Sequence, residues 1–265
     1  MNPRGPSPKP RKSAKHGGAR AAASGGRAEA GPMRVQRALA RAGLASRRAA
    51  DQAVAEGRVK VNGLTAVIGQ VVDPLRDKIT LDGKPIPAPV ATHKWMVLNK
   101  PAGVMTTRRD PQGRQTVFDL VDDVPGLVYV GRLDFMTEGV LLLTTDGSAA
   151  HALTHPSRGV ERSYAVTVRG DARSAARLAR RGVELDDGLV LPVDVKSEPI
   201  GGRRSLLELT ITEGRTHEVR RLCDALGLEV ERLVRTRYGP VKLGDLASGA
   251  TRPLSVRERN MIEAL

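Results

Sequence analysis

The sequence predicts an α+β protein in two parts: a small N-terminal unit of two helices and a short sheet, then a larger domain on a mainly antiparallel mixed sheet. Three observations lead there. Residues 33–83 carry a complete pattern of helical spacing followed by tight turns. Residues 84–93 (KPIPAPVATH) hold three prolines and read as a linker. From residue 94 to 265, short apolar runs and helical stretches follow one another without the regular strand–helix–strand period of a parallel sheet.

Residues 1–32 are rich in Pro, Gly, Ala and Lys/Arg with almost no large apolar side chains. They cannot offset their ordering entropy, so a disordered basic tail is expected. From Met33 the pattern changes: Val35, Leu39 and Ala42 recur at helical spacing before Gly43 supplies a stop. Ser46 can cap a second helix ending at Gly57, and RVKVNG then alternates basic and apolar residues into an Asn-Gly turn, a strong hairpin signal. KITLDG at 78–83 closes the small sheet.

In the larger domain, runs suited to strands lie at 95–98, 128–130, 139–145, 163–168 and 205–211. Helical stretches lie near 148–154, 171–181 and 216–226, the last capped by Thr216, with Val219, Leu222, Cys223 and Leu226 as its apolar stripe. GVLLLTTDG, from 139, is continuously apolar, as a strand buried on both faces should be.

A net charge of +14 points to a polyanionic partner. The tail holds seven Lys/Arg against Glu29 alone, and the folded part is basic as well. Six aromatic residues are too few to stack many successive bases, so contacts to phosphate and to shape should dominate. A single cysteine, Cys223, rules out an internal disulfide and a thiolate zinc cluster. His151 and His155 have helical spacing, but Pro156 follows at once, so they read as a helix end. No run approaches a membrane span and no signal-peptide core is present, so a cytoplasmic protein with no membrane partner is expected. There is no P-loop or dinucleotide fingerprint, and no cofactor or metal is expected.

Two places suggest RNA contact in the small unit. Arg47 and Arg48 open the second helix, where cations are disfavoured unless an anion joins them; free amides and two guanidinium groups would make a phosphate site, though the dipeptide taken alone reads more readily as two solvated arginines on an exposed turn. Arg58 and Lys60 project from the basic face of RVKVNG. In the larger domain, Asp134 stands in GRLDFMTEG at the mouth of the buried run. A lone Asp there can be a turn residue; a functional one needs a cation nearby to remain ionised at a core edge. Arg220, on the flank of the last helix, can extend into solvent or reach such a carboxylate. Tyr164, on an alternating strand, can be a core tyrosine or an aromatic face for a uracil ring.

Residues 33–83, through LARAG, ASRRAAD, GRVKVNG and DKITLDGKPI, resemble the alpha-L RNA-binding motif. GRLDFMTEGVLLLTTDG, ERSYAVTV and EGRTHEVRRL follow in that order, with NKPAGVMTT, DPQGRQTVFDL and RLVRTRYG around them, and across 33–240 the chain resembles the bacterial ribosomal RNA pseudouridine synthases. The resemblance implies that Asp134 is the catalytic aspartate acting on a flipped-out uridine. It implies that Tyr164 packs against the target base, that Arg220 pairs with Asp134, and that Arg132 helps hold the RNA with its nucleotide extruded. Many relatives carry Gln where this chain has Glu218.

The expected partner is ribosomal RNA, the large subunit's favoured, free or in a precursor particle, and a monomer is expected. Two alternatives stay open: a non-catalytic RNA-binding ribosome assembly factor, and a synthase for small-subunit rRNA. A pure binder gains nothing from a carboxylate aimed at phosphates.

Overall fold

A computed structural model describes residues 31–45, 47–87 and 93–265, with only the backbone of residue 47. The tail through residue 30, the Ser46 cap, the Arg47 side chain and residues 88–92 of the linker lie outside the described residues.

The N-terminal unit contains β1 (Met33–Arg34), α1 (Val35–Arg41), α2 (Arg47–Ala55), β2 (Val59–Val61), β3 (Leu64–Thr65), β4 (Val71–Val72), β5 (Ile79–Leu81) and β6 (Lys84–Pro85). β1 pairs with β4, and a second sheet runs β3-β2-β5-β6. Both hairpins turn through left-handed residues: Asn62 and Gly63 at φ 53° and 87°, Asp82 and Gly83 at 51° and 78°. Glycine and short Asx side chains adopt that conformation at least cost, which is why these dipeptides fix the turns. Val35, Leu39, Ala50, Val54, Val59 and Ile79 close a core of their own. The second hairpin carries pairing through Pro85, into the segment read as linker.

The larger domain contains β7 (Trp95–Lys100), β8 (Val128–Val130), β9 (Thr137–Thr144), α3 (Gly147–Thr154), β10 (Arg162–Arg169), α4 (Ala172–Ala179), β11 (Val183–Leu185), β12 (Gly188–Val190), β13 (Asp194–Gly201), β14 (Arg204–Ile211), α5 (Glu218–Ala225), β15 (Glu229–Tyr238), β16 (Val241–Lys242), β17 (Thr251–Pro253) and α6 (Val256–Glu263). A nine-stranded sheet follows the path β13-β14-β10-β15-β9-β7-β17, with β16 on β15 and β8 on β9. All its pairs are antiparallel except β15 with β9, so the sheet is the mainly antiparallel mixed one that the sequence predicts.

β9 shows why GVLLLTT reads as continuously apolar. Val140 and Leu142 enter a cluster with Val97, Leu153 and Tyr238, while Leu141 and Leu143 enter another with Leu98, Leu127 and Leu133. Alternate side chains point to opposite faces, and both faces are covered. Burying each of these aliphatic groups contributes about 1.5–3 kcal/mol, so the strand is a rigid mount for the loop before it. On the other half of the sheet, β10 and β14 pack against α4 and α5 through Val166, Val168, Leu207, Leu209, Ala175, Ala176 and Leu222.

Candidate active site

The loop from Gly131 to Met136 is anchored at several points. Leu133 is buried, and its carbonyl accepts the Thr106 hydroxyl at 2.8 Å. The Gly103 N–H donates to Phe135 O at 2.8 Å, and the Thr137 N–H donates to Asp134 O at 3.0 Å, closing a turn around Asp134. The turn leaves the Asp134 carboxylate partly exposed, with Oδ1 3.6 Å from His217 Nε2.

Arg132, Asp134, Tyr164 and Arg220 all line one cavity of about 420 Å³, within the range of small-ligand pockets. The loop supplies the first two, β10 the third and α5 the fourth. Tyr164 is 8% exposed, its ring packed in the core beneath the cavity. Arg220 differs from expectation: its Nη2 donates to Met136 O at 3.2 Å, and among the described residues the basic side chain within 4 Å of Asp134 is His217.

α5 also begins differently. Its N-cap is His217, in the left-handed conformation at φ 53°, without a side-chain cap. Thr216 is not the N-cap, and the Glu218 carboxylate instead folds back on the preceding loop, its Oε2 accepting the Arg215 N–H at 3.0 Å. Glu218 is buried, and burial pushes its carboxyl above the usual range.

Two buried cations that sequence reasoning passed over frame the loop from behind. Lys100 ends β7 fully buried, and its Nζ donates to Pro101 O, Phe135 O and Thr137 O at 2.9, 3.2 and 2.9 Å. Burial lowers its pKa to about 8, opposed by Asp134 and Glu138 nearby. Arg235 on β15 is 2% exposed, with Nε on Val140 O at 2.8 Å and Nη1 on Arg132 O at 3.5 Å. The only hint is positional: in RLVRTRY, Arg235 stands where alternation from Leu233 calls for a core residue.

In the N-terminal unit, Arg48 and Lys60 are exposed. Arg58 is engaged within the unit, donating to both oxygens of Asp82 at 2.7 and 2.6 Å and to Glu56 at 3.0 Å. Its guanidinium is therefore already paired within the unit. Among the described residues no three His, Cys, Asp or Glu are grouped to hold a metal, and His155 caps a short turn. No helix of the described residues is long and apolar enough to cross a membrane.

The cavity thus joins a carboxylate on a fixed turn, a buried aromatic and a rim of cations, a combination suited to an anionic, ring-bearing ligand. Comparison with known proteins gives the family. The family profile described as RNA pseudouridylate synthase matches residues 94–225, and the S4 domain profile matches 33–73. An RNA pseudouridine synthase of Aquifex aeolicus, itself uncharacterised, is 40% identical over 231 residues, 85% of this chain and 92% of that protein. Ribosomal large subunit pseudouridine synthase B of Xanthomonas campestris pv. campestris is 46% identical over 222 residues, 79% of this chain but 44% of that longer protein. A crystal structure of a pseudouridylate synthase superposes with a TM-score of 0.59 at 30% identity, covering 87% of this chain and 99% of that one. With 92% of a 40%-identical relative covered, and the two profiles matching residues 33–73 and 94–225, the chain belongs to the RNA pseudouridine synthases.

Proposed function

We propose that this isomerase converts uridine to pseudouridine in large-subunit ribosomal RNA, with Asp134 as the catalytic carboxylate acting on a nucleotide flipped into the 420 Å³ cavity. The observation that carries the reading is the convergence of Arg132, Asp134, Tyr164 and Arg220 from three separate elements on that cavity. The ribosomal substrate is supported by the relatives named for the large subunit.

A stacked uridine hides its reacting atoms, so extrusion comes first, at about a few kcal/mol. Arg132 at the exposed rim would hold the strand, and Tyr164 would stack under the uracil. The N1–C1′ bond then breaks, the base turns, and C5 bonds to C1′; C5 loses its proton and N1 gains one, so nothing is oxidised or reduced. Departure of the base leaves positive charge on the ribose, which an ionised Asp134 stabilises as nucleophile or as counter-charge. Arg220, through Met136 O, would steady the turn that aims the carboxylate. The S4 unit would track the RNA backbone through Arg47, Arg48 and Lys60.

The test is nucleotide-resolution pseudouridine mapping on unmodified large- and small-subunit rRNA after incubation with the protein. A new large-subunit site supports the reading; a site confined to small-subunit RNA overturns the substrate assignment.

A further inference from the structure

Five strands align one residue each across the middle of the sheet: Leu209 on β14, Tyr164 on β10, Arg235 on β15, Gly139 on β9 and Lys100 on β7. Two cations therefore flank the one position in the row that has no side chain. Between them they bind four carbonyls of the segment 132–140: Arg235 takes Arg132 and Val140, and Lys100 takes Phe135 and Thr137. These carbonyls bracket Asp134 on both sides.

The arrangement is costly. Neither cation has a carboxylate within 4 Å among the described residues, Asp134 and Glu138 acting on Lys100 only from farther away, and a buried charge without a contacting counter-ion is normally selected against. Arg235 Nη2 is also buried without a hydrogen-bond partner, as are Thr137 Oγ1 and Glu218 Oε1, and all three residues line the cavity. Three of the six such atoms in the described residues thus collect at one place. Buried polar groups are otherwise almost always satisfied, and clustered exceptions mark sites where stability has been given up for function.

We propose that Arg235 is a positioning residue for the reaction: its guanidinium ties the chain entering the Asp134 turn, at Arg132 O, to the strand leaving it, at Val140 O, and so fixes where the carboxylate points. Lys100 fastens the turn's interior in the same way. Arg235 does not touch substrate in this role. The inference rests on Asp134 as the catalytic carboxylate, and it adds a prediction which that reading does not make: removing the buried charge slows turnover without weakening the fold.

The experiment compares wild type, Asp134→Asn, Arg235→Met and Arg235→Lys on rRNA transcripts carrying 5-tritiated uridine, under single-turnover conditions, with RNA affinity and thermal stability measured alongside. Met keeps the alkyl volume and removes every donor; Lys keeps a charge able to reach one carbonyl. Arg235→Met is expected to lower the rate constant roughly 10–100-fold, the scale of a catalytic group misplaced by about 1 Å, with RNA affinity within about twofold and a melting temperature equal to or above wild type. Arg235→Lys is expected to recover part of the rate. A wild-type rate in Arg235→Met overturns the proposal. So does a slower rate that comes with a less stable fold and weaker RNA binding, which would make Arg235 part of the framework only. Full activity in Asp134→Asn would instead show that the underlying reading fails. Hydrogen exchange then decides the geometric claim without RNA: Arg235→Met should lose protection at the Leu133 and Thr137 amides while Leu141–Leu143 stay protected, and unchanged protection at Leu133 and Thr137 overturns it.

Discussion

Gly139 and Arg235 face each other across the parallel pair β9–β15 so closely that a Cβ on residue 139 would lie 2.2 Å from the Arg235 carbonyl oxygen and 2.8 Å from its nitrogen. Gly139 also has φ 102°, which side-chain-bearing residues rarely adopt. The obstacle is backbone on both counts, so it cannot rotate away. Gly139→Ala should destabilise the protein by more than about 3 kcal/mol, read by denaturant unfolding; a change below about 1 kcal/mol would contradict the parallel registration of β9 and β15.

RNA binding should depend on salt through Arg48 and Lys60 and not through Arg58. Removing one cation that pairs with a phosphate should flatten the log–log salt slope by about 0.7–0.9. Arg48→Ala and Lys60→Ala are each expected to do this, while Arg58→Ala leaves the slope unchanged because Asp82 and Glu56 already occupy its guanidinium. Filter binding across a salt titration checks it; an equal slope change in Arg58→Ala would reverse the assignment.

Cys223 is fully buried on α5 beside Val219 and Leu222, and burial pushes its thiol up to about 12. Only the thiolate reacts. At pH 8 the native protein should therefore react with a disulfide reagent at least about 100-fold more slowly than the unfolded chain. Rapid native labelling would mean that α5, which carries Arg220, opens readily.

α6 is held by a capping box, Ser255 with Glu258, and by Arg252 donating to both Glu258 oxygens at 2.9 and 2.8 Å. The guanidinium holds the Glu258 carboxyl down at about 2, against an ordinary 4.5. A depressed carboxyl stabilises fully above the unfolded value and loses that contribution as pH falls through the folded one. Glu258→Gln should thus cost about 1–2 kcal/mol at pH 7, and the gap to wild type should shrink from pH 4.5 towards pH 2. A gap independent of pH would show that the ion pair does not stabilise α6.

Much of the fold is written in the local pattern. The Asn62–Gly63 and Asp82–Gly83 turns, the fully buried β9 and the half-buried β10 follow directly from turn chemistry and from periods of two. β15 does not, because EVERLVRTRY is crowded with charged residues, yet it lies at the middle of the sheet. Its buried positions are Leu233, Arg235 and Tyr238, and an arginine in a core position hides the alternation that would have marked a strand. Lys100 is concealed in the same way, since a lysine before Pro101 reads as a loop. Of the candidate site, Arg132, Asp134, Tyr164 and Arg220 were singled out from the sequence, and the structure places all four on one cavity. His217 was not, because its contact with Asp134 depends on a left-handed backbone at the start of α5 that no local signal demands.

The most direct test of the central claim uses the proton that C5 must lose. Wild type and Asp134→Asn are incubated with rRNA transcripts containing 5-tritiated uridine, and tritium released to water is counted beside RNA affinity. Asn keeps the size and the turn but cannot carry the negative charge, so release should fall to background while affinity stays within about twofold. Release at the wild-type rate would remove Asp134 from the mechanism.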